Sequence, residues 1–289
     1  MPSTSTSFFT TKGIDWCEVN YEVTPLIAEF WNTTSSLLFC VAGISICLQS
    51  RVLMKQRRLP FPLYFAGPLL ILLGLASAIF HATLTLPWQR ADEAMENAAL
   101  AALFHGTVTS TNISRYNHFY FIVHLLSAMI GVVVFSSLLF AEIHVVTSAL
   151  SVGNALIVSR DACEDKNTKT WKRKTPIIIS GRIHVALICA ALGGVAWVID
   201  RIICPTTLLF NPQLHAWWHI GGAIALHEAF NAAAIAATVL DHENPHASVK
   251  LKAYGLLSVI VMPGESISSS SSSSSLPIDV EIVQTKKRD

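Results

Sequence analysis

The sequence is poor in charge. Only 13% of its 289 residues are Asp, Glu, Lys or Arg, whereas 52% are hydrophobic and the mean hydropathy is +0.50. A typical soluble domain carries about 25% charged residues. The low charge therefore excludes an ordinary soluble globular protein and predicts a protein that crosses a membrane several times.

Three further absences exclude other classes. The net charge of +1 lacks the basic excess of a nucleic-acid binder, so no nucleic-acid partner is expected. Six cysteines in a chain of this length are too few for a disulfide scaffold. The first twelve residues are polar and contain no apolar core, so we expect no cleavable signal peptide. No feature of the sequence implies a protein partner.

Long apolar runs dominate the rest of the chain. A helix of about 20 apolar residues spans a membrane. By this measure we predict seven spans, near residues 28–50, 62–83, 92–111, 119–140, 143–159, 177–199 and 214–240. A single helix over 119–159 would be about 60 Å long, so we expect it to fold back near Glu142 and His144. The predicted fold class is an all-α membrane protein, a bundle of seven transmembrane helices.

The basic residues predict the orientation of these spans. Sixteen of the twenty Lys and Arg residues fall in alternate loops and in the C-terminal tail. Because positive loops stay in the cytosol, the N-terminus is predicted to be lumenal and the C-terminus cytosolic. The predicted domains are a lumenal N-terminal segment (1–27), a transmembrane domain (28–240) and a cytosolic tail (241–289).

The tail is predicted to be largely disordered, because the eight serines Ser268–Ser275 cannot bury a core. The apolar stretch 254–262 is too short to span and is interpreted as a cytosolic or interfacial segment. Lys286 and Lys287, near the C-terminus, resemble a dilysine retrieval signal. They indicate a multi-pass protein of the endoplasmic reticulum membrane or the Golgi.

Histidines at the ends of spans predict a metal site. His215 and His219 lie at i and i+4, on one helix face, at the start of the last span. A catalytic zinc needs a third ligand, and the topology places His81 and Asp92 at the same membrane level, with Ser77 one turn from His81. Taken singly, each residue also has a structural explanation: an interfacial histidine, a packing serine, or a carboxylate at a helix N-terminus. His105, His124, His184, His227 and Glu228 receive no ligand role, although the last two are candidates to line a polar cavity.

The N-terminal segment has an acidic cluster. Asp15, Glu18, Asn20 and Glu29, with nearby backbone carbonyls, offer the oxygen ligands that calcium prefers. The spacing is not that of an EF-hand. The residues alone favour the alternative, an acidic amphipathic segment leading into the first span.

These motifs together resemble the alkaline ceramidase family of seven-span hydrolases. The resemblance covers residues 15–219 and depends on six motifs: Asp15-Trp16-Cys17-Glu18, Ala28-Glu29-Phe30-Trp31-Asn32, Phe80-His81-Ala82-Thr83-Leu84, Gln89 with Asp92-Glu93, Asp200 with Cys204, and His215-Ala216-Trp217-Trp218-His219. It implies hydrolysis of the ceramide N-acyl amide to a sphingoid base and a fatty acid. It also implies that zinc is held by His81, His215 and His219, and that Ser77 and Asp92 are catalytic.

The resemblance further implies a calcium site and a disulfide. The calcium ligands would be Asp15, the Trp16 carbonyl, Glu18, Asn20 and Glu29, and the disulfide would join Cys17 to Cys204. We expect Asp92 to act as general base and then acid, and Ser77 to stabilise the oxyanion. The chain departs from the family pattern after His219, where Gly221-Gly222 and residues 227–231 are unusually small or polar.

Two other functions are compatible with seven spans. Receptors of the adiponectin and progestin type resemble this arrangement of serine, aspartate and three histidines, but with inverted orientation. The N-terminal acidic cluster and the predicted lumenal N-terminus disfavour that class. A transporter is disfavoured because no internal repeat or pair of broken helices is evident.

Overall fold

The protein is described by a computed structural model covering residues 11–54, 59–111, 118–134, 138–166, 174–203, 211–240, 249–254, 258–263 and 280–281. The Ser-rich tract, the dilysine pair and Cys204 lie outside these residues.

The described residues form seven helices followed by three short strands. The helices are α1 (Phe30–Met54), α2 (Leu63–Thr83), α3 (Leu86–Thr111), α4 (His118–Val134), α5 (Leu138–Lys166), α6 (Lys174–Ile203) and α7 (Leu214–Leu240). The predicted helical bundle is confirmed, with one helix for each predicted span. The helix α7 is continuous through Gly221, Gly222 and the polar residues that follow.

Two predicted boundaries were wrong. The helix α3 begins at Leu86 rather than Asp92, so Asp92 lies in its second turn. The chain was expected to fold back near Glu142 and His144, but both residues lie within α5. The start of α3 does carry a signal, because Pro87 lies in its first turn, where proline favours a helix N-terminus. Hydropathy alone does not use that signal and therefore placed the start too late.

Five of the described helices are long and apolar enough to cross a membrane, namely α1, α2, α5, α6 and α7. The helix α4 has only 17 residues, and α3 carries Asp92, Glu93 and Glu96 in its first half. Large apolar side chains remain exposed around the outside of the bundle, for example Leu150, Leu192 and Ile202. Such an apolar exterior suits a lipid environment.

The helix α7 lies at the centre of the bundle. Of the 18 residues that form its most apolar stretch, 94% are buried. The helix α7 packs against α1, α2, α3, α5 and α6. Small residues permit close approach: a Cβ added to Gly221 would lie 2.7 Å from the carbonyl oxygen of Cys189 on α6. The central position of α7 explains how one helix can bring two histidines into contact with residues from α1 and α2.

The N-terminal segment packs over one end of the bundle, which we call the capped end. Backbone hydrogen bonds join Gly13 to Leu84 (2.8 Å) and the Glu29 amide to the His81 carbonyl (3.0 Å). Leu84, which ends α2, has a positive φ of 51° that turns the chain into α3. This arrangement places Glu29 directly beside His81.

The chain after α7 forms a small sheet that the all-α prediction did not include. Strands β1 (Val249–Tyr254), β2 (Ser258–Pro263) and β3 (Val280–Glu281) are ordered β2-β1-β3, with β1 antiparallel to β2 and parallel to β3. The sequence Val-Lys-Leu-Lys-Ala-Tyr alternates apolar and polar residues, which is the pattern of a strand. The stretch interpreted as an interfacial segment is therefore largely β2.

Candidate active site and metal centre

Three buried histidines meet at the capped end of the bundle. His81 lies in the last turn of α2, and His215 and His219 lie on the first two turns of α7. Their ring centroids are 4.6–5.0 Å apart, and one ring nitrogen of each lies within 4.8 Å of the other two. Among the described residues, no other group of three His, Cys, Asp or Glu side chains meets this criterion. The metal-ligand geometry predicted from the sequence is thus present.

Hydrogen bonds from outside the triad orient two of the rings. The Nδ1 of His81 lies 2.6 Å from Oε2 of Glu29. The Nδ1 of His219 lies 2.9 Å from the Ser35 hydroxyl and 3.3 Å from that of Ser36. Fixing one ring nitrogen in this way selects which nitrogen faces a metal and raises its basicity.

The remaining nitrogens include buried atoms with no partner. The Nε2 of His81 and the Nδ1 of His215 are buried and make no hydrogen bond within the described residues. An unpaired buried donor or acceptor costs about 1–3 kcal/mol, so two in one cluster need an explanation. A cation bound by the three rings supplies it, since imidazole nitrogen is a preferred ligand of zinc and related metals.

The His215 ring is oriented by stacking. It lies parallel to Trp16, with centroids 3.7 Å apart and an angle of 22° between the rings. The Arg201 guanidinium lies over the Trp16 ring, 5.5 Å from its centroid. The N-terminal segment thus contacts the triad through Trp16 as well as through Glu29.

Ser77 and Asp92 lie beside the triad, as predicted. Their side chains hydrogen-bond to each other. The Ser36 hydroxyl lies 3.0 Å from the Ser77 oxygen and thereby connects Ser77 to the partners of His219. Hydrogen bonds therefore link Asp92 and Ser77 to His219 through Ser36, and the rings of His81 and His215 lie against that of His219.

This cluster opens into a cavity of about 540 Å³. Ser77, Asp92, His215 and His219 line one side of it, and Phe39, Leu73, Val145, Val195, Trp197 and Trp218 supply much of the apolar wall. An apolar cavity with a few convergent polar groups is the usual form of a small-molecule site. A molecule with a long apolar chain and one polar group matches the distribution of apolar and polar side chains in this cavity.

The predicted calcium ligands lie in the N-terminal segment and at the start of α1, but their three carboxylates do not converge within 4.8 Å as the histidines do, and their oxygens already have partners. Glu29 accepts hydrogen bonds from the Trp16 amide (2.8 Å) and the Asn32 side chain (3.0 Å). Glu18 accepts from the backbone amides of Trp31 and Asn32, at the first turn of α1. These carboxylates therefore fasten the N-terminal segment to α1 whether or not a cation is bound.

Asp15 and Asn20 form the outer part of this cluster. The Asn20 amide donates to Asp15 Oδ1 at 2.8 Å, and Lys12 pairs with Asp15 Oδ2. The Oδ1 of Asn20 is buried and accepts no hydrogen bond among the described residues. An unpaired amide oxygen next to the Asp15 carboxylate is compatible with a hard cation such as calcium.

The pKa values of the two carboxylates Asp15 and Glu18 differ in direction. Burial raises the pKa of Glu18 above its ordinary value, and the two α1 amide groups only partly oppose that effect. Burial would also raise the pKa of Asp15, but hydrogen bonds from Lys12 and Asn20 bring it below its ordinary value. Asp15 is therefore the more readily ionised of these two carboxylates.

The expected disulfide cannot be seen in full, because Cys204 lies outside the described residues. The sulfur of Cys17 lies 2.9 Å from the carbonyl oxygen of Asp200, four residues before Cys204. The Asp200 carboxylate also accepts a hydrogen bond from the Cys17 amide at 3.4 Å. Cys17 is thus placed at the C-terminal end of α6.

His227 and Glu228 lie elsewhere, in a separate polar network between α1, α6 and α7. The Nε2 of His227 is 3.0 Å from the Ser45 hydroxyl, and its Nδ1 is 3.2 Å from Glu228. Glu228 in turn forms a 2.6 Å ion pair with Arg182. His227 and Glu228 therefore connect α7 to α1 and α6 and do not belong to the histidine triad.

Sequence reasoning missed Ser35, Ser36 and the contact of Glu29 with His81. A signal existed, since residues 32–36 (Asn-Thr-Thr-Ser-Ser) form an unusually polar start to an apolar span. Hydropathy shows only that such a span is less apolar there. It does not show which turn faces His219.

Comparisons with known proteins show the family to which the chain belongs. The family model described as Ceramidase matches residues 9–260. The chain is 29% identical over 241 residues to alkaline ceramidase 3 of Mus musculus, covering 73% of this chain and 78% of that protein. It is 26% identical over 247 residues to alkaline ceramidase 1 of Mus musculus (84% and 86%) and 26% identical over 224 residues to an alkaline ceramidase of Arabidopsis thaliana (73% and 78%). The chain therefore belongs to the ceramidase family of ceramide-hydrolysing enzymes.

Proposed function

We propose that this protein hydrolyses the N-acyl amide bond of ceramide with a zinc ion held by His81, His215 and His219, releasing a sphingoid base and a fatty acid. The observation that carries the metal assignment is the pair of buried, unpartnered nitrogens on His81 and His215 within a three-histidine cluster. When bound, zinc supplies Lewis acidity that polarises the amide carbonyl and makes water nucleophilic near neutral pH.

Asp92 is the proposed general base and acid. Its carboxylate lines the cavity beside the triad, within reach of a water molecule that attacks the amide. Asp92 takes the proton lost by that water and then gives it to the leaving amine as the carbon–nitrogen bond breaks. The fatty acid keeps the oxygen of the water, and the amine leaves neutral.

Ser77 is the proposed donor to the developing oxyanion. In this structure its side chain is hydrogen-bonded to the Asp92 side chain. Once Asp92 has taken a proton, it no longer needs the Ser77 hydroxyl as a donor, and that hydroxyl can turn to the amide oxygen. The nearby Ser36 hydroxyl, at 3.0 Å, limits the other rotamers of Ser77.

Calcium is proposed to support the fold of the capped end rather than the chemistry. Asp15, the Trp16 carbonyl, Glu18, Asn20 and Glu29 would hold it, and the unpaired Asn20 oxygen supports this assignment. Glu29 belongs to this set and also contacts His81, so a cation there would stiffen the support of one zinc ligand. The contact of Cys17 with the end of α6 supports a Cys17–Cys204 disulfide that would hold the same region.

The proposed location is the endoplasmic reticulum membrane or the Golgi, with the capped end in the lumen and the tail in the cytosol. The loop asymmetry and Lys286 and Lys287 support it. An oxidising lumen also suits the proposed disulfide.

The direct test is amide hydrolysis by the purified protein in lipid nanodiscs, with metal content measured on the same sample. We expect one zinc per chain, release of fatty acid from ceramide, loss of activity on chelation and recovery on adding zinc. A protein that binds zinc but turns over no ceramide would support the receptor function instead. Activity that persists in zinc-free protein would contradict the proposed chemistry.

A further inference from the structure

A stripe of four polar residues runs along the face of α3 that lines the cavity. Gln89, Asp92, Glu93 and Glu96 occupy positions i, i+3, i+4 and i+7 and all contact the same cavity. This spacing places the four side chains on one face of the helix. The stripe extends from the triad into the apolar part of the cavity.

Three of the four residues have a structural or catalytic explanation. Gln89 accepts from the Ile14 amide (2.9 Å) and donates to Glu93 (2.8 Å). Glu93 also forms a 2.6 Å ion pair with Arg90. Asp92 is bonded to Ser77. Each of these groups therefore has a hydrogen-bond partner within the protein.

Glu96 has no such explanation. Within the described residues its carboxyl group makes no hydrogen bond and no ion pair, and the carboxyl groups that influence it, Asp92 and Glu93, carry the same sign of charge. The side chain is largely shielded but reaches the cavity. A carboxyl group without a partner inside a helix bundle is costly, which makes a ligand for it the default expectation.

The position of Glu96 indicates which part of a ligand it contacts. It lies one helical turn, about 5.4 Å of rise, beyond Asp92. It also lines a second, smaller cavity of about 90 Å³, which shares Phe39, Val145 and Trp218 with the first and is otherwise apolar. Glu96 therefore lies between Asp92, in the larger cavity, and the smaller apolar cavity.

We infer that Glu96 recognises an additional hydroxyl group on a ceramide chain, a few carbons from the scissile amide. This inference rests on the proposed function and specifies its substrate class. Two ceramide types carry such a group: those with a 4-hydroxylated sphingoid base and those with a 2-hydroxylated acyl chain. A chain without the hydroxyl would leave the Glu96 carboxyl unpaired beside methylene groups, so the same residue disfavours non-hydroxylated ceramide.

The test compares hydroxylated and plain ceramides of equal chain lengths. The ratio of their kcat/KM values is measured in nanodiscs for the parent protein and for Glu96→Leu. We expect the parent to favour one hydroxylated type, and Glu96→Leu to lower that ratio by about 10- to 100-fold, as for loss of one hydrogen bond to a charged group. The two substrate arms identify which chain carries the recognised hydroxyl.

Two further variants keep the test decisive. Glu96→Met, unbranched and of similar length, replaces Glu96→Leu if that protein fails to fold, and Glu96→Gln should give an intermediate ratio. Leu100→Ala is the matched control, because Leu100 follows Glu96 by one turn in the second cavity. It should change chain-length preference without changing the hydroxyl ratio.

An unchanged hydroxyl ratio in Glu96→Leu or Glu96→Met, with zinc content intact, would overturn the role of Glu96 and leave ceramide hydrolysis standing. A parent protein that favours neither hydroxylated type would overturn it as well. Absence of turnover on every ceramide would instead contradict the proposed function.

Discussion

Two places in the helix bundle bring three histidines together, and they differ in what the ring nitrogens contact. At the capped end, His81 Nε2 and His215 Nδ1 are buried without partners. Between α3, α4 and α5, the Nε2 of His105 lies 2.9 Å from the Nδ1 of His124. There, the Nδ1 of His144 lies 2.6 Å from Asn97.

The second histidine cluster, His105, His124 and His144, thus satisfies its nitrogens with one another and with an amide. Its rings are also further apart, with centroids 5.1 and 6.0 Å apart along the row. A count of histidines would treat the two clusters alike. The difference favours the capped-end cluster as the one that could hold a metal ion, because its unpaired nitrogens converge.

The largest expected effect comes from removing one ring from each cluster. His219→Ala should lose zinc and nearly all activity, because two ligands rarely hold a catalytic zinc. His144→Ala, the matched control, should keep one zinc per chain. Metal analysis and ceramide hydrolysis are measured on both proteins. Full zinc content in His219→Ala would show that the ligands lie elsewhere.

Asp92→Asn separates the chemistry from the metal at the capped end. The carboxamide side chain of this variant cannot take a proton from water, so turnover should fall by about 10²- to 10⁴-fold while zinc stays bound. The measurement is kcat together with zinc content. A kcat equal to that of the parent would remove Asp92 from the mechanism. The second cluster, which consists of His105, His124 and His144, offers no matched substitution.

Glu29→Gln weakens the support of one zinc ligand without removing the ligand. Loss of the charged partner of His81 Nδ1 should lower zinc affinity by about 10- to 100-fold. Asn20→Ala is the control, because Asn20 belongs to the calcium cluster and is not a partner of His81. It should reduce the stabilisation by calcium while leaving zinc affinity unchanged. Equal zinc affinity in the parent and Glu29→Gln would contradict the orienting role.

The smallest effect is expected from Asn97→Ala, which removes the amide partner of His144. The loss of that buried hydrogen bond should cost about 1–3 kcal/mol of stability. Zinc stoichiometry should stay at one, because the three rings remain too far apart to share an ion. Thermal unfolding and metal analysis test this. A second zinc bound by Asn97→Ala would erase the distinction between the two clusters.

Local patterns in the sequence were enough to predict the helices and part of the site. Apolar runs indicated seven spans because the membrane core sets their length. The i, i+4 spacing of His215 and His219 placed both rings on one face of α7, since helix geometry alone determines that relation. The shared level of His81 and Asp92 followed from counting spans, and the structure places both beside the α7 histidines.

Only the tertiary structure decided how these helices are rotated and which groups meet between them. Glu29 and Ser35 reach the triad because α1 packs against α2 and α7, and no sequence spacing relates residues on separate helices. The same holds for Glu96, which is merely the next turn of an acidic helix until the packing of α5 and α7 places a cavity in front of it. Helical periodicity acts within one element, whereas the partners of a buried polar group depend on contacts between elements, and those form only in the folded bundle.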